Sequence, residues 1–508
     1  MVLEQLVEGG ATIFSGMNLL VFVFAIVLGM LSGAIPGMNG TMTVVLLIPL
    51  TYSMDPVTGI MMLSVIYVGA VYAGSISAIM FKVPGAPEAI MTTLDGYKMN
   101  QQGRMGEAIS TAVFSSAVGG IVGTIILILF SPTLAAWSMN LSDPEYFSVV
   151  VVGLALVSTI GVGNVTKAAM MMAMGLVIAT IGLDPFTGQP RFTFGNRLLF
   201  NGIELIPVIL GVFAISEVLK QIQTGGQMVT DEEVDSISTG SLLPPLHFFK
   251  RFRKILSFNS ITGTLIGILP GAGATTGALF GYTFAQRIVP QDIRERFGTG
   301  VPEGVAGPET ANNAAASGAF VPLFALGIPG SATTAVILAA FILHGITPGP
   351  SFIDANETLV YTVFAALLLA NVAVLLANKP IVRVFTKVRH IPQELLLALI
   401  VMFCVVGGFA TRNITFDLWI MLATGIIGYY LEQYDYPIAP LVIGLVLGPI
   451  AEPSLRRGLI KAQGELLTFV QRPISLMLLV IAVILFTVPL LQETAFGRKY
   501  LRFGGVDQ

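Results

Sequence analysis

The sequence predicts an all-α polytopic membrane protein, with about a dozen hydrophobic segments in two inverted-topology repeats built on broken or re-entrant helices. Three observations predict it. Of the 508 residues, 54% are hydrophobic and 11% charged, with a mean hydropathy of +0.84, whereas a soluble domain is about one quarter charged. Apolar stretches approaching the ~20 residues that span a bilayer recur from Leu19 to Leu491, with one long polar interruption, Gln221 to Lys254. The 55 glycines and 28 prolines sit inside those apolar runs, where neighbouring helices can satisfy an interrupted backbone.

The elements follow in order. The first repeat, residues 1–220, is expected to hold helices at Leu19 to Tyr52 (broken), Val57 to Met80, Glu107 to Trp137, Phe147 to Ile160, Lys167 to Gly182 and Ile203 to Lys220. Residues 221–254 form a polar connector, expected to be cytoplasmic. The second repeat, 255–451, holds Ser257 to Gln286 (broken), Asn312 to His344 (broken), Leu359 to Ala377, Glu394 to Ala410, Phe416 to Glu432 and Ile438 to Ile450. Residues 452–508 are a surface loop, a last helix at Ile474 to Leu491 and a basic tail.

The repeat is written in the residues. The run from Gly29 through Gly33, Pro36 and Gly37 to Thr41 matches the run from Gly263 through Gly267, Pro270 and Gly271 to Thr275, an offset of 263 − 29 = 234. A looser match sets Pro84-Gly85 against Pro329-Gly330, an offset of 329 − 84 = 245. Paired, Gly/Pro-interrupted hydrophobic segments point to the binding site of a secondary transporter. The approach to the first motif carries Glu4 and Glu8, and the approach to the second carries Lys250, Arg251, Arg253 and Lys254. Because Lys and Arg favour cytoplasmic loops, the motifs are expected to enter from opposite faces. A span count then places Lys98, Arg104, Arg294 and Arg296 inside, and Asp143, Glu145, Asp354 and Glu357 outside. It also places Arg456, Arg457, Lys461 and Arg472 outside, against the rule.

Several chemistries are excluded or disfavoured. A net charge of −3 with no basic-aromatic patch gives no footprint for nucleic acid. The single cysteine, Cys404, reads as a buried small apolar residue, and with no second cysteine an intrachain disulfide or thiolate cluster is impossible. The N-terminus lacks the basic region of a removable signal peptide. There is no Gly-x-x-x-x-Gly-Lys-Ser/Thr loop, and Gly271-Ala-Gly273 has the wrong spacing and context for a dinucleotide fingerprint. His247, His344 and His390 are far apart in sequence, so neither an enzyme nor a cofactor is expected.

A Pro-Gly break at membrane depth survives only where protein or a watery cavity satisfies the freed backbone. It also points the N–H groups and positive end of a half-helix into the membrane, which suits an anion. The candidate substrate residues are therefore Gly33, Pro36, Gly37, Asn39, Gly40 and Thr41 at the first break and Pro270, Gly271, Gly273, Thr275 and Thr276 at the second. Asn312, Asn313 and Ser331 join them from the polar run Glu303 to Gly318 and from the second motif's return. Oxygen-bearing Thr43, Glu309, Ser317 and Thr333 are candidates for a coupling cation, with no metal beyond Na⁺ in view. The competing readings are close helix packing at the glycines and helix capping by Glu309, Asn312 and Asn313. Glu88 and Asp95 are weaker candidates of the same kind.

The paired segments Gly33 to Thr51 and Gly267 to Tyr282, the run Glu303 to Gly318 and Gly327-Ile-Pro-Gly-Ser-Ala-Thr-Thr334 resemble the TctA family, the large membrane subunit of tripartite tricarboxylate transporters. The resemblance covers nearly the whole chain. It implies a multi-pass protein of the bacterial inner membrane that imports small carboxylates (di-, tri- or aromatic) with Na⁺ or H⁺ as coupling ion. It also implies two partners, a small TctB-type membrane subunit and a periplasmic TctC-type solute-binding protein. An organic-anion channel or a carboxylate transporter without a binding protein are the alternatives.

Overall fold

The computed structural model describes residues 2–35, 38–158, 165–223, 247–271, 273–388 and 393–493. Among these the only sheet pairs Gly182–Leu183 antiparallel with Pro190–Arg191, and nearly all the rest is helix. Among the described residues, seven helices are long and apolar enough to cross a membrane, and there are four shorter apolar helices, Gly40–Thr51, Val165–Ala179, Ala332–Leu343 and Glu394–Ala410.

Ten helices position the site. In the first half they are α1 (Met17–Ala34), α2 (Gly40–Thr51), α3 (Pro56–Phe81), α4 (Thr92–Gln101) and α5 (Met105–Ser138). In the second half they are α6 (His247–Ile268), α7 (Gly273–Ile288), α8 (Glu303–Gly318), α9 (Ala332–Leu343) and α10 (Glu357–Val388), with Phe320–Leu326 continuing α8. Proline, which has no backbone N–H to donate, weakens a helix where it falls, and side-chain caps start the helices that follow the breaks. Asn39 accepts from the Met42 N–H at 2.8 Å ahead of α2, Asp55 accepts from the Val57 N–H at 3.0 Å ahead of α3, and Ser331 forms a capping box with Thr334 ahead of α9.

The expected boundaries shift most in four places. Helix α6 begins at His247 rather than at Ser257, inside the stretch expected to be a polar connector. Helix α8 begins at Glu303 rather than at Asn312; its polar residues lie among other helices, with Gly307 against the Gly281 backbone and Ala285. Helix α10 continues past Ala377 to Val388. The helix expected to end at Ile450 runs from Ile438 to Lys461, through Pro449, Pro453 and the 451/452 boundary.

The two halves pack alike at backbone level. Gly29 and Gly33 of α1 lie on Ile66 and Ala70 of α3, where a Cβ at Gly33 would come 2.3 Å from the Ala70 carbonyl oxygen. Gly263 and Gly267 of α6 lie on Ala311 and Ala315 of α8, and a Cβ at Gly267 would come 2.1 Å from the Ala315 oxygen. The differences 311 − 66 and 315 − 70 are both 245, the offset of the looser motif. The returns match too: a Cβ at Gly85 would meet the Gly33 oxygen and the Gly74 Cα, and one at Gly330 would meet the Gly267 oxygen and the Ala319 Cα.

Repeat mates run in opposite directions. The Tyr67 ring of α3 lies 6.0 Å from Phe320, whereas Gly96 touches both Ile79 of α3 and Val305 of α8. Rising numbers on α3 thus meet falling numbers on α8. Helix α5 runs parallel to α8, through the pairs Ser116–Glu309, Thr124–Ser317 and Ser138–Ala325. Helix α10 runs parallel to α3, through Tyr72–Asn378 and Phe81–Phe385. Each half's central helix therefore packs beside the long helix of the other.

Helix α5, with 34 residues, is about 50 Å long at the usual rise per residue and separates two charged faces. At its start Arg104 donates to the Gly300 carbonyl at 3.0 Å and Arg251 forms a two-pronged pair with Glu303. Beyond its end Asp143 pairs with Arg457 and Lys461, Glu145 with Arg472, and Asp184 and Glu452 with Arg456 and Arg191. The basic residues that break the positive-inside pattern do share a face with Asp143 and Glu145, and each is paired with an acid there: Arg457 and Lys461 with Asp143, Arg472 with Glu145, and Arg456 with Asp184 and Glu452. Burial raises the Asp143 carboxyl, but hydrogen bonds from Lys461 and Arg457 outweigh it and hold it below the usual range.

Candidate functional site at the two helix breaks

The returns bring residues from both halves together. On one side the Thr41 hydroxyl of α2 meets the Thr333 hydroxyl of α9 at 2.7 Å. The buried Tyr67 hydroxyl faces Ser331 and Thr333. Gly271 donates its N–H to the Gly330 carbonyl at 2.9 Å, and Gly273 lies against Ser331. Both Gly271 and Gly273 have positive φ (87° and 59°), a conformation that disfavours any side chain. Asn39, Thr41, Ser331, Thr333, Gly271 and Gly273 thus converge at the N-termini of α2 and α9, each 12 residues long. This side offers hydroxyls and two positive helix ends, and the groups named are all neutral.

The other side is its repeat mate and is acidic. Offset 245 sets Glu88 in the place of Thr333, Asn312 in the place of Tyr67 and Glu309 in the place of Ser64. Asn312 Nδ2 reaches the Glu88 carbonyl at 3.4 Å. Glu309, fully buried in mid-helix, accepts from the Thr92 hydroxyl of α4 at 2.5 Å and from the Ser116 hydroxyl of α5 at 2.9 Å. Asn312 also faces it. Asn313 donates to the Glu309 carbonyl and to Asn312 Oδ1. The capping reading fails for all three, because α8 starts two turns earlier and they are buried in its middle.

The remaining candidates serve the frame. Gly33 is the close contact of α1 with α3, Gly40 seats α2 against Ala70 and Tyr67, and Thr43 returns its hydroxyl to the Asn39 carbonyl. Ser317 links Thr124 and the Gly120 carbonyl between α8 and α5. Thr275 is exposed, Thr276 and Pro270 are half-buried, and Pro36 and Gly37 lie outside the described residues. Asp95 is a staple between the halves: its carboxylate accepts from the Gly298, Gly300 and Val301 N–H groups and from the Tyr282 hydroxyl. Sequence reasoning missed Tyr67, Thr92 and Ser116. Extending offset 245 from Asn312 finds Tyr67; no signal in the sequence singles out Thr92 or Ser116.

The profile of the Tripartite tricarboxylate transporter TctA family matches residues 19–443. The chain belongs to the TctA family. It is 36% identical over 489 residues, 96% of each chain, to an "Uncharacterized 52.8 kDa protein in TAR-I ttuC' 3'region" of Agrobacterium vitis. It is 39% identical over 217 residues, 43% of this chain and 89% of the other, to an "Uncharacterized protein in TAR-II ttuC' 3'region" of the same organism. No solved structure matches. A TctA protein is a transporter subunit, a multi-pass membrane protein that works within tripartite transporters, and the antiparallel repeat mates described above are the geometry of inverted repeats.

Proposed function

We propose that this chain is the large membrane subunit of a binding-protein-dependent secondary transporter that imports a small carboxylate, di-, tri- or aromatic, across a bacterial inner membrane on a cation gradient. The observation that carries the reading is the meeting of two antiparallel broken-helix motifs across the repeat interface, with Thr41 of one half on Thr333 of the other. A carboxylate is held by the Thr41, Thr333, Ser331 and Tyr67 hydroxyls, by Asn39 and by the positive ends of α2 and α9. The coupling cation, H⁺ or Na⁺, belongs to the acidic side. Rocking of one repeat against the other then exposes the site to each face in turn.

Capture of dilute solute is delegated to a periplasmic TctC-type binding protein, and a small TctB-type membrane subunit completes the complex. The test is reconstitution in lipid vesicles with citrate as the probe. The chain alone should accumulate little. With the small subunit and a loaded binding protein, uptake should appear and should collapse when the cation gradient is dissipated. Strong accumulation by the isolated chain, or uptake that needs ATP and ignores the gradient, overturns the reading.

A further inference from the structure

We propose that the coupling ion is a proton and that Glu309 carries it, bound on a carboxyl oxygen and released to the opposite face in each cycle. The inference deepens the transport reading above and rests on it for its physiological meaning. An ionised carboxylate in a membrane interior is costly unless it takes up a proton or ligates a cation. Glu309 is fully buried, and its polar neighbours Thr92, Ser116 and Asn312 are neutral.

The simplest occupant of this close-packed place is a proton. Helices α5 and α8 touch backbone to backbone beside Glu309: a Cβ at Gly119 would come 2.1 Å from the Thr310 carbonyl oxygen, and one at Gly123 would come 2.8 Å from that of Ala314. A Na⁺ ion needs a shell of oxygen ligands, whereas the two hydroxyls nearest the carboxylate, those of Thr92 and Ser116, are spent donating to it. A proton needs only a carboxyl oxygen and a hydrogen-bond acceptor, which the Thr92 and Ser116 hydroxyls supply by turning round.

The groups that face Glu309 are accounted for. Asp95, one turn along α4 from Thr92, is held by three backbone N–H groups and Tyr282. Glu303 at the start of α8 is paired with Arg251 of α6. Tyr72 of α3 donates to Asn378. That leaves Glu88 as the second carboxyl on this side, 333 − 245 = 88 making it the mate of a neutral threonine.

The test reads the carboxyl itself in the full-length protein in lipid. Infrared difference spectra taken from about pH 5 to about pH 9 should show the carbonyl stretch of a buried carboxylic acid that titrates. This band should vanish in Glu309→Gln, survive in Glu88→Gln, shift in Glu309→Asp, and ignore Na⁺ at fixed pH. In the reconstituted complex Glu309→Gln should lose citrate accumulation driven by a pH gradient while keeping citrate exchange. A band unchanged by Glu309→Gln, or removed by Na⁺, overturns the proposal. So does pH-driven accumulation that survives Glu309→Gln. Absence of citrate transport in the unsubstituted complex strikes the transport reading instead, and the infrared titration still decides whether Glu309 binds a proton.

Discussion

Where α2 meets α9, Thr41 pairs with Thr333; the repeat mates of these two residues are Thr275, at the start of α7, and Glu88, in the first half's return. One framework of packed glycines supports both places, yet one is lined by hydroxyls and the other by two carboxylates. The difference teaches that duplication preserved the scaffold, in which glycine lets backbones touch, while the chemistry at the breaks diverged.

The sharpest way to break this comparison is to make the two sides alike. Thr333→Glu sets beside Thr41 the carboxylate that the mate position carries, and should cut citrate uptake by about a hundredfold or more, since like charges in a desolvated site cost several kcal/mol. Thr333→Gln should retain much more activity; equal uptake by the two variants would remove the anion from this side.

A smaller effect tests the shared scaffold. Gly33→Val and Gly267→Val each force a side chain into backbone contact, and each should cost about 1 to 3 kcal/mol by overpacking, read as a lower unfolding temperature in detergent. Full tolerance at one position and not the other would show that the halves are not packed as equivalents.

The smallest effect lies on the face beyond α5. The lowered Asp143 carboxyl contributes stability that is present above the ordinary carboxylate range and lost as pH falls through and below it. Arg457→Ala, which removes one exposed partner of Asp143, should cost about 0 to 1 kcal/mol near neutral pH, and nothing once Asp143 is protonated. A difference in unfolding temperature that persists unchanged in acid would assign the effect to packing rather than to charge.

The framework was readable before any coordinates because its signals are local. Gly33 and Gly267 sit at fixed distances from a Pro-Gly pair, and such spacing in an apolar run has few physical meanings. Legibility failed where polarity was misleading. Glu303 to Gly318 reads as a polar run leading into a helix at Asn312, yet all of it is a buried helix whose small residues allow α6 and α7 to cover it. Arg456, Arg457, Lys461 and Arg472 read as misplaced by the positive-inside pattern, and each has an acidic partner, Asp143, Glu145 or Asp184, that lies hundreds of residues away in the chain.

The sequence by itself determined that the chain lies in a membrane, that it repeats, and that its repeats are built on broken helices. These follow from hydropathy, periodicity and the conformational limits of proline and glycine, which act within a few residues. Only the tertiary structure decided that repeat mates run antiparallel, that Thr41 meets Thr333 across 292 residues, and that Glu309 lies between Thr92 and Ser116. A hydrogen bond acts over about 3 Å, so which distant side chains come within that range depends on how the helices pack.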